Sequence, residues 1–179
     1  ADDFAFELFL NESIDIPTML KALNHNLPFD IRAKTIEEVD AKFNIIKNPK
    51  IKEYHYYFSF GEKTHPFNAP HIINYEQELA IEKMQEAAKI YEGTHNFNAF
   101  RSADDFRKNT QRTVISVESL FIKRYTVYQV QVIGQKFMRH MIRRMIGAAL
   151  TVATTSNNFE IQNIEQLLKS GNPNHPLKN

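Results

Sequence analysis

Arg139, Arg143 and Gly147 stand four residues apart in GQKFMRHMIRRMIGAAL, residues 134–150. On a helix that spacing stacks them in one row, two guanidinium groups followed by a residue without a side chain. Such a row can hold a charge at a cleft wall; the plainer reading is a solvated basic helix face that also carries His140 and Arg144. A second stretch, residues 94–114, interleaves Arg101, Arg107, Lys108 and Arg112 with Phe97, Phe100 and Phe106. That mixture tracks a phosphate backbone and stacks on bases, although Asp104 and Asp105 dilute its charge, and a polar connecting loop is the other reading. Tyr54 begins an aromatic row, Tyr54, Tyr56, Phe58 and Phe60, in KEYHYYFSFG. Four alternating aromatics belong to a sheet core, but one at the end of the row can instead stack on a base, an interaction worth about 1–3 kcal/mol. Lys42 beside Phe43 reads by itself as an exposed lysine and a core phenylalanine.

Several kinds of chemistry are disfavoured. The five glycines fall in no GxGxxG or GKS/T context, which argues against nucleotide hydrolysis and dinucleotide redox chemistry. His65 and His71 lie six apart with no third ligand at metal-site spacing, so they read as surface residues. The absence of cysteine removes disulfides and thiolate metal sites and fits a reducing compartment. A net charge of +1 gives no global basic field, so an argument for nucleic acid must rest on local clustering. No apolar run approaches membrane-spanning length, and a cytoplasmic protein with no membrane partner is the expectation. The residues alone point to an RNA-binding domain.

The elements that must position these groups follow from periodicity. Asp3–Leu10 alternates Phe4, Phe6 and Leu8 onto one face and predicts a strand. Residues 16–27 predict a helix with Pro17 in its first turn, and residues 29–33 an extended segment. Residues 52–61 are the clearest strand; residues 62–74 are turn-rich; residues 75–91 predict a helix terminated by Gly93. Residues 114–122 and 125–133 predict an antiparallel hairpin turning at Lys123 and Arg124. The helix entered from Gly134 sets Phe137, Met138, Met141, Ile142, Met145, Ile146 and Ala149 on its inner arc. A last short helix covers residues 161–168 and ends at Gly171. Without strict β-α alternation, the expected class is α+β with a mixed, mainly antiparallel sheet flanked by helices, in one domain over residues 1–179 with no internal linker. The apolar start without Met and the polar, proline-bearing end predict a piece of a longer protein.

Three segments together resemble the tRNA pseudouridine synthase A family. His95-Asn96-Phe97-Asn98-Ala99-Phe100-Arg101 is similar to the family's HDF-x-[AS]-F-R, and Arg112-Thr113 to the RT pair that begins a strand. Residues 137–147, FMRHMIRRMIG, resemble F-[LV]-x-[HR]-M-[VI]-R-x-[ML]-[VI]-G, the most specific of the matches. Upstream, Leu23 to Ile31 resembles L-N-x-x-L-P-x-D-I, and the aromatic strand corresponds to Glu53-Tyr54-His55-Tyr56.

The resemblance implies the pseudouridine synthase fold, truncated at both ends, and the isomerisation of uridine to pseudouridine in the tRNA anticodon stem-loop at tRNA positions 38, 39 and 40. It implies a homodimer holding tRNA, without metal or cofactor. Tyr54 takes the place of the tyrosine that stacks on the target uracil, and Arg143 that of the arginine paired with the catalytic aspartate. Residues 39–43 match an F-x-A-R-F segment that contacts tRNA, giving Lys42 and Phe43 that role, with Val39 and Lys42 departing from the pattern. The loop holding Lys108, Thr110 and Arg112 matches a second contact segment, and Arg101, Arg139 and Arg144 are further RNA-binding candidates. The nucleophilic aspartate of the family sits in G-R-T-D-[AS]-G-V-H, which does not occur here; Asp2 and Asp3 lie beyond that motif. The 179-residue chain is therefore expected to be inactive, and a non-catalytic RNA-binding module on the same scaffold is the alternative.

Overall fold

A computed structural model describes residues 4–106, 108–154 and 159–171. The chain divides into two compact units, Ala1–Pro49 and Lys50–Asn179.

In the first unit one helix, α1 (Ile16–Asn26), starts where Asp15 accepts the Thr18 N–H at 3.0 Å, with Pro17 in the first turn. Asn24 fastens the following segment by accepting the Ala33 N–H at 2.8 Å and donating to the Ala33 carbonyl at 3.0 Å. The strand expected at residues 3–10 is not there: residues 4–10 have no regular structure, and Phe4, Phe6 and Leu8 are exposed. Alternation makes a strand only beside another strand, and the described residues of this unit offer none.

The second unit is built on a five-stranded sheet. Its strands are β1 (Lys52–Phe60), β2 (Ile73–Tyr75), β3 (Gly93–Asn96), β4 (Gln111–Ile122) and β5 (Val127–Gly134), in the spatial order β2-β1-β5-β4-β3. Among the described residues only β1 and β2 pair in parallel; the other pairings are antiparallel, as expected of a mixed, mainly antiparallel α+β sheet. Cross-strand partners such as Tyr54↔Val132, Tyr56↔Val130 and Val117↔Val132 share a face. That face carries the core, where Phe58, Val130 and Val132 meet Met84 and Ala87 of α2 (Ile81–Lys89), Met141 and Met145 of α3 (Met141–Ala153) and Ile164 of α4 (Ile161–Ser170). Full burial of such side chains contributes about 1.5–3 kcal/mol each.

Four boundaries differ from expectation. Short β2 and β3 occupy segments read as turn or loop, because three or four residues are too few to show a period. Tyr75 ends β2, its carbonyl accepting the Gly61 N–H at 3.0 Å, so α2 begins only at Ile81. Gly93 opens β3 at a positive φ rather than ending α2. Helix α3 begins at Met141, not near Gly134, because His140 takes a left-handed conformation at φ 59° and Phe137 folds back onto Gly134. The β4–β5 turn holds Lys123 and Arg124 as expected, and Gly171 closes α4 at φ 60°.

Candidate functional site

Tyr54 lies on the helix-bearing face of β1 and is 42% exposed, unlike Phe58 four residues on, which is buried. Its ring and that of Phe137 stand perpendicular, at 5.2 Å between centroids and 86° between planes. Phe137 reaches it because Gly134 has no side chain: a Cβ there would stand 2.6 Å from Phe137 Cζ and 2.9 Å from the Thr113 carbonyl oxygen. Chain order thus becomes geometry, since the glycine at the end of β5 admits the phenylalanine that buttresses the tyrosine of β1.

Two residues along the same face, Tyr56 is half-buried and its hydroxyl lies 3.4 Å from that of Tyr75. Burial, then the Tyr75 hydrogen bond, push the Tyr56 hydroxyl well above the usual phenol range, while the positive charge of Arg143 pulls the other way. Arg143 is therefore an electrostatic neighbour of Tyr56, on the helix that follows the Phe137 turn. Its side chain is exposed, and among the described residues it enters no ion pair. Arg143 and Gly147 share one face of α3, and Gly147 looks onto open space. Arg139 does not complete the row, because it precedes the helix.

The remaining candidates divide between the chain's own use and the surface. Arg101 donates to the Asp105 carbonyl, and Arg144 donates to the Arg101 carbonyl at 2.6 Å. Thr110 donates to the Asn96 side chain at 2.8 Å while its carbonyl accepts the Phe97 N–H at 3.0 Å, so it holds the loop against β3. The Arg112 guanidinium donates to the carbonyls of Asn109 at 3.0 Å and Gln111 at 2.5 Å. Lys108 is exposed, and Arg139 is exposed in a surface pair with Asp104. Asp104 itself is held below the usual carboxylate range by the Ser102 side chain first and by the charge of Arg139 among lesser causes. In the first unit Lys42 is exposed on a turn closed by Asp40, which accepts the Lys42 N–H at 2.7 Å, and Phe43 is half-buried. Arg107 lies outside the described residues.

Two participants escape a reading of residue types. Phe137 looks like one more apolar helix position, and only its distance of three from Gly134 hints at a close approach. Asp105 looks like a diluting charge, yet it is 7% exposed.

Tyr54 and Arg143 are both exposed, and the charge of Arg143 reaches Tyr56, two residues from Tyr54 on the same face of β1. Comparison with known proteins gives the class. Residues 87–178 match the family model described as tRNA pseudouridine synthase. The chain is 36% identical over 147 residues to "tRNA pseudouridine synthase A" of Pseudothermotoga lettingae, an alignment covering 82% of this chain and 59% of that protein. It is 37% identical over 131 residues to the protein of the same name from Thermosipho melanesiensis, covering 73% and 52%. It is 35% identical over 132 residues to "tRNA pseudouridine synthase A 2" of Bacillus thuringiensis subsp. konkukian, covering 74% and 53%. The chain belongs to the tRNA pseudouridine synthase family. It spans between about half and three fifths of the length of these relatives. No described helix is long and apolar enough to cross a membrane.

Proposed function

We propose that the whole protein to which this chain belongs is a cytoplasmic tRNA pseudouridine synthase acting on uridine in the anticodon stem-loop, as a homodimer and without cofactor. The observation that carries the reading is the neighbourhood of Tyr54, Tyr56 and Arg143: an exposed aromatic ring packed perpendicular to Phe137, and an exposed guanidinium beside the same strand face. Tyr54 supplies the surface on which a uracil, flipped from its stack at a cost of a few kcal/mol, is received. Arg143 supplies the opposite charge that keeps a nucleophilic aspartate ionised and oriented. With the aspartate as nucleophile, the N1–C1′ bond breaks, the uracil turns, a C5–C1′ bond forms, and the proton lost from C5 is balanced by one gained at N1. The 179-residue chain has no G-R-T-D motif, and we assign the nucleophile to sequence outside it.

Among the RNA-contact candidates, Lys42, Phe43, Lys108 and Arg139 serve the phosphate backbone or bases directly, whereas Arg101, Thr110, Arg112 and Arg144 serve chiefly by shaping the loop that presents them. The test is pseudouridine formation on an anticodon stem-loop RNA. The 179-residue chain should give no turnover, and the chain joined to the upstream sequence of its own gene should give turnover that Arg143→Ala removes. Turnover by the 179-residue chain would sink the assignment of the nucleophile. RNA binding with no turnover in the extended protein would favour a non-catalytic RNA-binding module.

A further inference from the structure

We infer that Asp105 is a positioning residue that sets the start of α3 and with it the place of Arg143; the inference rests on the reading of Arg143 given above. A buried carboxylate is costly unless its oxygens are used. Asp105, 7% exposed, accepts the backbone N–H of Arg139 at 3.1 Å. Its own N–H donates to the Ser102 carbonyl at 3.1 Å, and its carbonyl accepts the Arg101 guanidinium. Ser102 returns the connection by donating its N–H to the Arg139 carbonyl at 3.0 Å, so both backbone polar groups of Arg139 are taken by residues 102 and 105. Arg144, one turn into the helix, donates to the Arg101 carbonyl at 2.6 Å. Residues 101–105 therefore grip the chain on both sides of His140, whose φ of 59° is unfavourable for a residue with a Cβ and persists only where its surroundings impose it.

What this grip holds is consequential. His140 is the residue from which α3 departs, and its carbonyl accepts the Arg144 N–H at 3.0 Å. Arg143 sits in the first turn, so the direction of departure decides how far its guanidinium lies from Tyr56 and Tyr54. The neighbouring Asp104–Arg139 pair is exposed on both sides and contributes little. The two adjacent aspartates have different duties: Asp105 fixes backbone, and Asp104 decorates the surface.

The experiment uses the 179-residue chain, with Asp105→Ala, which removes the acceptor, and Asp105→Asn, which keeps one. Amide hydrogen exchange at Arg139 should quicken about 10-fold in Asp105→Ala, as one hydrogen bond is lost, while amides of α4 are unmoved. In the chain joined to the upstream sequence of its own gene, pseudouridine formation on an anticodon stem-loop RNA should fall about 10-fold in Asp105→Ala and stay within about 3-fold of wild type in Asp105→Asn, while affinity for that RNA changes by less than about 3-fold. Unchanged exchange at Arg139 would overturn the grip itself. Altered exchange with turnover kept at the wild-type rate, or with turnover and affinity lost to the same extent, would overturn positioning, the second in favour of a general loss of structure. If Arg143→Ala alone leaves turnover at the wild-type value, the Arg143 reading falls, and the inference falls with it even though the exchange result stands.

Discussion

Arg143 and Arg144 are neighbours in sequence and opposites in circumstance. A helix turns about 100° per residue, so consecutive side chains leave it in different directions. Arg143 points to solvent and is felt by Tyr56 only through its charge, whereas Arg144 is half-buried and donates to the carbonyl of Arg101 at 2.6 Å. The same division runs through Asp104 and Asp105, the first exposed against Arg139 and the second buried against its backbone. Charged residues in a basic motif thus have two fates. One set builds the corner that carries the motif, and the other is left over for a partner.

Variants on the two sides of this division should separate stability from binding. Arg144→Ala strips a charged donor from the Arg101 carbonyl and should lower the unfolding free energy by about 1.5–3 kcal/mol in denaturant titration, with any loss of RNA affinity following from that. Gly134→Ala should cost about 1–3 kcal/mol by overpacking, since the new methyl meets both Phe137 and the Thr113 carbonyl oxygen, and the displaced ring should also loosen Tyr54. Tyr91→Phe leaves the buried Met145 carbonyl without the hydroxyl that reaches it at 3.0 Å, a loss of about 1 kcal/mol away from the RNA side.

Glu92 gives a smaller, pH-dependent effect. Burial pushes its carboxyl up, but the Lys89 side chain and the Val117 N–H at 2.8 Å outweigh it and hold the carboxyl below the ordinary glutamate range. A folded-state value below the unfolded one stabilises above the unfolded value, about 4.3, and that contribution is lost as the pH falls through the folded value. Glu92→Gln should therefore be less stable than wild type at neutral pH, and the gap should close in acid; a gap constant with pH would contradict the assignment.

Much of the second unit was legible because long elements repeat their period several times. The aromatic alternation of β1, the β4–β5 hairpin and the closing glycine of α4 stand where residue pattern places them. Short β2 and β3 were not legible, because pairing with β1 and β4 forms them rather than any pattern of their own. The supposed first strand failed for the converse reason, an alternating pattern with no partner strand in its unit. At the site, Tyr54 and Arg143 were named from family resemblance, and the structure leaves both exposed. Asp105 was invisible because a sequence shows charge and not burial, and because the backbone N–H it serves lies 34 residues away.

The most direct test of the account is affinity for an anticodon stem-loop RNA, measured on the 179-residue chain at several salt concentrations. Wild type should bind with an affinity that falls as salt rises. Arg143→Ala should keep its unfolding free energy within about 0.5 kcal/mol of wild type. Tyr54→Ala should bind about 10-fold more weakly. Binding by Tyr54→Ala indistinguishable from wild type would contradict the assignment of this face of the sheet to the target uridine.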